Sequence, residues 1–474
     1  MSKRVTFSFL RTFAAVSGLA LMSMAPKAAV ADNLTDAMVG AYNTSGLLEQ
    51  NRALLRIADE NVAVAVARLR PVIDWVTSAS YTYARSTSGT TPGTSQGALF
   101  STGLEFTWLL FDNGASQLRQ LSAQEAVLST RSSLLNVEQQ VLFSAVSVYI
   151  NVLLQQETVA LRQNNLRLLQ EELKAAQDRF EVGEVTRTDV ALAESRVAAA
   201  QASLTQSRGD LLTAEAEYAE VVGNAPGTIA GQPGLPRRAA SLQAAENIAV
   251  RNHPNLQSQQ HTVKSAEYSA AAASKDLGPN LRLGGSAGFR EDIGGSRFAD
   301  GEDASVALTL TQPVFAGGAL ASARRSALAS VDAERGNLIT VQRAIVQDVA
   351  AAYVALETAR ASLVSANERV RAAGVAFDGI REEATLGART TLDVLQSEQE
   401  LLDAQTSRVQ ARANQALAAF GLLQAQGLLT AAHLELPVEI YDPTVYYNIV
   451  KSAPYAVSTQ GSDLDRVMKA QGKQ

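Results

Sequence analysis

The sequence predicts a mixed, mainly α fold: a small sheet carried on very long helices, with the whole unit built twice. Three observations predict it. First, "FTWLLFDNG" (106–114) and "LTQPVFAGG" (310–318) both run a strand-like segment into a glycine corner, with Phe111 matching Phe315 and Gly114 matching Gly318 at an offset of 204 residues. The same offset carries Thr107 to Thr311, Tyr149 to Tyr353, Gly183 to Gly387, Asp189 to Asp393 and Glu194 to Glu398. Such constant register marks an internal duplication. Second, four segments alternate apolar with polar residues at the period of a strand. Third, the stretches from 115 to 182 and from 319 to 386 contain no proline, enough for helices of about 100 Å at 1.5 Å per residue.

Residues 1–31 read as an export signal. Lys3 and Arg4 precede the apolar "FAAVSGLALMSMA", and Ala29-Val30-Ala31 forms a small-residue cleavage site before Asp32. The alternative, a membrane anchor, requires an apolar core of ~20 residues, longer than this one. No later segment reaches 18 uninterrupted apolar residues, so no transmembrane helix is expected. The chain has no cysteine, which removes disulfides, thiol catalysis and cysteine-ligated metal together. Its 41 basic and 47 acidic residues give a net charge of −6, against a nucleic-acid partner.

The first repeat, 32–223, reads as helix, strand pair 72–111, corner, long helix 115–182, turn and helix 187–223. In the second strand Phe100, Leu104, Phe106, Trp108 and Leu110 alternate with Ser101, Gly103, Glu105 and Thr107. The first strand carries Trp75, Tyr81 and Tyr83 on one side. Loops "STSGTTPGTSQG" and "EDIGGSRFADG" join the strands of each pair. A Gly/Pro-rich linker (224–240) leads to the second repeat, 241–428, with strand pair 280–315 and helices 319–386 and 390–428. The C-terminal segment 429–474 ends in a polar tail, "STQGSDLDRVMKAQGKQ", expected to be disordered.

The helices lead away from the sheet and cannot cover its apolar face. If that face meets lipid, the sheet must close into a barrel, because an open edge in hydrocarbon leaves backbone groups unpaired. Single-chain barrels begin at about 8 strands, so this chain must oligomerise. In the first long helix Ala145, Val152, Val159, Leu166, Leu173 and Phe180 form one heptad seam, and Leu154, Leu161, Leu168 and Ala175 a second on the opposite flank. Two opposed seams describe a helix with a neighbour on each side, as in a cylinder wall, since a two-stranded coiled coil needs only one. In the second copy that other seam turns small: Ser365, Ala372, Gly379. A rod-like bundle without a lumen, structural or adhesive, stays open on periodicity alone.

No enzyme chemistry emerges. "GGSAG" (284–288) fits the G-x-S-x-G elbow but sits inside an alternating strand, not at a strand-turn-helix junction. The three histidines, His253, His261 and His433, show no metal-ligand spacing. No catalytic residue, metal or cofactor is assigned.

The duplication, the "FDNG" and "FAGG" corners, the turns in "RFEVGEVTRTDVALAESRV" and "EEATLGARTTLDVLQSEQEL", and Asn-His-Pro-Asn-Leu at 252–256 (Asn43 to Leu47 in the first copy, without the proline) together resemble the TolC family of outer-membrane efflux proteins. The resemblance spans essentially the whole mature chain. It implies a homotrimer in the outer membrane of a Gram-negative bacterium. Twelve strands would form a pore in outer-membrane lipid, the helices a periplasmic tunnel, and the linker with the C-terminal segment an equatorial belt. An inner-membrane RND or ABC transporter would supply energy through a periplasmic adaptor (membrane fusion) protein, for drug efflux or type I secretion.

The resemblance further places adaptor docking at the tip turns, Val182, Gly183, Glu184, Leu386 and Gly387, where a glycine of positive φ reverses the helix. Plain hairpins without a docking role are the alternative. It makes Asp393 an acid lining the periplasmic gate and puts Gln396 where the family has a second aspartate. Arg389 matches the arginine that ties the closed tip to the neighbouring turn, here Thr188 and Asp189, and Ala384 replaces a restraining tyrosine. Asp393 and Asp189 also suit a purely local role at helix N-termini.

Overall fold

The computed structural model describes residues 32–86, 93–293, 300–455 and 458–470. The expected signal at 1–31 lies outside the described residues, as do 87–92 and 294–299 in the strand loops. The first half comprises α1 (Leu34–Thr44), α2 (Gly46–Ala67), β1 (Val72–Ser86), β2 (Gly93–Phe111), α3 (Ala115–Glu181) and α4 (Arg187–Val222). The second comprises α5 (Leu242–Asn252), α6 (Pro254–Lys275), β3 (Asn280–Asp292), β4 (Gly301–Thr311), α7 (Ala319–Thr385) and α8 (Thr391–Ala425). Two short helices follow, α9 (Thr444–Val450) and α10 (Thr459–Ala470). Helices α3 and α7 have 67 residues each and keep the 204-residue offset at both ends.

Each half opens with two helices where the sequence reading expected one. In the first, Ser45 stops α1 and caps α2, its hydroxyl accepting from the Leu48 N–H at 3.3 Å. In the second, His253 Nδ1 accepts from the Asn255 N–H at 3.2 Å and Pro254 takes the first helical position, where its missing N–H costs nothing. The Asn-His-Pro-Asn-Leu motif is thus a helix opener, and a serine cap replaces the proline in the other copy.

The strands form one antiparallel sheet in the order β1-β2-β3-β4, so the two expected pairs are joined through β2 and β3. Gly93 to Gly97, read from the sequence as loop, belong to β2, and β3 runs on to Asp292. Register puts Ile73, Phe106, Gly285 and Val306 on one rung and Trp75, Leu104, Ala287 and Ala304 on another. Between them lies Asp74, Glu105, Ser286 and Ser305, on the other face. Because a strand alternates faces residue by residue, four strands present one apolar face and one polar face. A bulge at Leu110 brings Phe111 opposite Leu281, returning it to the apolar face at the rim.

The largest core lies midway along the molecule, where Leu55, Leu142, Tyr149, Tyr218, Phe420 and Leu429 pack together. Asp32 is stitched to the linker there: its N–H donates to Thr228 O and its carbonyl accepts from Ala230 N, both at 2.9 Å. The C-terminal segment is strapped to the same region by Tyr446 donating to Glu60 at 2.7 Å and by Arg131 stacked 5.0 Å from the Tyr447 ring. The tail is not wholly irregular, because α10 occupies Thr459–Ala470. Asp463 and Arg466, one turn apart, pair there at 2.8 Å, an i,i+3 contact that polarity favours rather than forbids. Helices α3 and α7 each contain a stretch long and apolar enough, by length and composition, to cross a membrane, which was not expected from the sequence; more than half of the stretch in α3 is buried inside the chain.

Candidate functional site

Two regions could carry function: the sheet with its corners, and the far end of the helices. Among the described residues nothing covers the apolar sheet face, with Trp75 exposed by 78% and Val306 by 81%, and Leu308 and Leu310 beside it. The opposite face is held by hydroxyl and ionic pairs: Ser78 to Ser101 at 2.8 Å, Ser286 to Ser305 at 2.9 Å, Arg290 to Asp303 at 2.7 Å. Ser286, the serine of "GGSAG", is therefore a strand residue bonded to its neighbour. His261 bonds Glu125 at 2.7 Å between α6 and α3.

At each corner two consecutive residues take left-handed backbone, Asn113 and Gly114 (φ 57° and 85°) or Gly317 and Gly318 (φ 59° and 83°). Asparagine is among the few side chains that tolerate this region, which is why the copies differ there without changing the turn. Asp112 caps α3 by accepting from the Ser116 N–H at 2.7 Å; its counterpart Ala316 has no such group. The strand sides diverge further. Phe111 ends β2, but β4 stops at Thr311, and Phe315 stands outside the sheet and exposed. Pro313 cannot donate to a ladder, so in the second copy the strand ends before the corner.

At the far end both turns share one geometry. Gly183 (φ 81°) and Gly387 (φ 78°) follow the helix ends, and the N–H groups of Glu184 and Ala388 reach back to Arg179 O and Glu383 O, both at 2.9 Å. This is the glycine C-cap with its six-to-one bond. The next helices start on capping boxes. Thr186 N–H donates to Asp189 Oδ2 at 2.9 Å, and Asp189 N–H donates back to the Thr186 hydroxyl at 3.3 Å. Thr390 and Asp393 repeat this at 3.0 and 3.2 Å. The Thr186 hydroxyl and N–H hold Asp189 below the ordinary carboxylate range. The Thr390 N–H and hydroxyl, with the Arg389 charge nearby, do the same for Asp393.

Val182, Gly183, Glu184, Leu386 and Gly387 are all exposed, Leu386 by 83%. Thr188 and Gln396 are exposed too, Gln396 nearly one turn beyond Asp393. Within the chain Arg389 does not join Thr188 or Asp189: its Nε donates to Glu383 at 2.8 Å, in its own turn, while Asp189 is engaged by Thr186. Ala384, which stands where the resemblance has a restraining tyrosine, is buried with Phe377 and Val394 as a small apolar plug.

One group at this end was passed over by sequence reasoning. Glu398 on α8 is 3% exposed, accepts from Asn165 Nδ2 on α3 at 2.8 Å, and its second oxygen has no partner. Burial lifts it to about 7, Asn165 and Arg381 opposing that rise and Glu172 adding to it. Glu172 and Arg381 pair with each other at 3.4 Å. The repeat Glu194/Glu398 was visible in the sequence, but nothing there told the buried copy from the exposed one.

A sheet with one bare apolar face, drawn out into capped antiparallel helix hairpins, defines a membrane sheet with a long extramembrane extension. The model of the outer membrane efflux protein family matches residues 41–224 and 247–428, one block per repeat. The chain is 35% identical over 433 residues to the outer membrane efflux protein BepC of Brucella suis, covering 91% of this chain and 93% of that one. It is 27% identical over 338 residues to the alkaline protease secretion protein AprF of Pseudomonas aeruginosa, 69% of each chain. The CmeC outer membrane channel of Campylobacter jejuni superposes with a TM-score of 0.71 at 15% identity, over 91% of this chain and 88% of that one. The chain belongs to the outer membrane efflux protein family. That membership sets aside the rod without a lumen.

Proposed function

We propose that three copies of this chain form an outer-membrane exit duct, closing a twelve-stranded barrel in lipid and continuing it as a helical tunnel through the periplasm. The bare apolar sheet face carries the reading: a lipid-facing sheet cannot leave β1 and β4 unpaired, and copies of itself are the partners that satisfy both edges. With processing after Ala31, Asp32 begins the mature chain and the linker with the C-terminal segment forms the belt. The duct is passive. An inner-membrane RND or ABC transporter drives it through a periplasmic adaptor seated on Val182, Gly183, Glu184, Leu386 and Gly387.

Asp393 lines the gate with Gln396 behind it, and a carboxylate ring at a constriction favours cations. Arg389, Thr188 and Asp189 hold the closed tip between copies. Conductance in planar bilayers tests this: the wild type should show cation-selective openings, more frequent in Arg389→Ala and less cation-selective in Asp393→Ala. Silence of the wild type and both variants overturns the gate. Co-purification of an adaptor from native membranes, lost on substituting Leu386, tests the docking surface.

A further inference from the structure

Near the tip one face of α3 carries Thr158, Leu161, Asn165, Leu168 and Glu172, all buried or half-buried, and Asn165 there bonds Glu398 of α8. The facing surface of α8 is Leu395, Glu398, Leu402 and Val409, all buried. Shifted by 204 residues, the same positions on α7 are Ser362, Ser365, Arg369, Ala372 and Ala376, and on α4 they are Ala191, Glu194, Ala198 and Thr205; every one of these is exposed. Two faces that the duplication makes equivalent to a buried contact are therefore bare.

In a ring built from identical copies, the contact α3 makes with α8 inside a chain recurs as α7 against α4 of the next copy. The in-chain contact centres on Asn165 donating to Glu398. Its equivalents are Arg369 and Glu194, of opposite charge. We propose that Arg369 pairs with Glu194 of the neighbouring copy, and that this ion pair fixes the register of the seam between copies. This rests on the oligomeric duct proposed above. The flanking residues are small and polar where the in-chain seam has leucines, so the charge pair supplies specificity that packing there does not.

Because the chain lacks cysteine, thiol cross-linking is clean. Chains carrying only Glu194→Cys are co-expressed with chains carrying only Arg369→Cys, and outer membranes are treated with a short bismaleimide. Cross-linked dimers in the mixture, absent from either variant alone, are the expected result. No dimer in the mixture, with internally linked monomers when both cysteines are placed in one chain, overturns it. Glu194→Arg should weaken the detergent-resistant oligomer and the exchange Glu194→Arg with Arg369→Glu should restore it. Failure to restore, with each chain still folded by circular dichroism, also overturns it. If the wild type is itself monomeric by light scattering, the duct reading fails instead.

Discussion

Replacing Glu398 by glutamine should remove a pH-dependent weakness at the tunnel end. The carboxyl is buried against α3 with one oxygen unpartnered, and burial raises it from the ordinary 4.5 to about 7. The packed state thus binds the proton more tightly than the opened state. Its stabilising effect is complete below about pH 4.5, declines as pH rises, and is gone above about pH 7. At ~1.4 kcal/mol per unit, the packing of α8 on α3 should weaken by about 2.5 kcal/mol between about pH 5 and pH 8, on the order of a hundredfold in the local opening equilibrium. Hydrogen exchange of amides from 394 to 402, corrected for intrinsic rates, reads this directly. Wild-type protection should fall steeply over that range while Glu398→Gln stays level. Equal loss in both proteins, or none in the wild type, refutes the reasoning. Asn165→Ala should exaggerate the effect by removing the donor that supports the charged form.

Other expectations follow from the same geometry. Gly387→Ala adds a Cβ that meets no atom within 4 Å, so its cost, about 1–2 kcal/mol, comes only from the left-handed backbone; limited proteolysis at the turn should report it. Asp393→Ala removes the carboxylate that accepts from the Thr390 N–H and hydroxyl and should fray the start of α8, whereas Asp393→Asn keeps a side-chain acceptor and should lower only cation selectivity in bilayers. Leu308→Arg on the apolar sheet face should cost about 2–4 kcal/mol and remove the protein from the outer membrane, while Ser305→Arg on the polar face should be tolerated; membrane fractionation separates the two.

How much of this was legible without coordinates depends on whether a feature repeats along the chain. The duplication, the alternation in β2 and the uninterrupted length of α3 and α7 are periodic, and periodicity is a property of sequence alone. So are the turn glycines, because positive φ selects the residue type wherever the turn lies. Boundaries that hang on one side chain were harder. The Ser45 cap splits the first helix and Pro313 ends β4 early, each through one backbone hydrogen bond gained or lost. The assignment of Asp393 and Arg389 to a gate rests on likeness to a family, and the structure gives their local bonding: the Asp393 carboxylate accepts from Thr390 at the start of α8, and Arg389 pairs with Glu383.

The sequence by itself determined that this chain is built twice, that four strands carry one apolar face, and that its helices have partners on two flanks. Only the tertiary structure decided how the equivalent halves differ. Glu194 and Glu398 are the same residue at the same repeat position, yet one is exposed and the other buried against Asn165. Local sequence sets which face a residue occupies on its helix; which helix covers that face is set by the packing of segments more than two hundred residues apart.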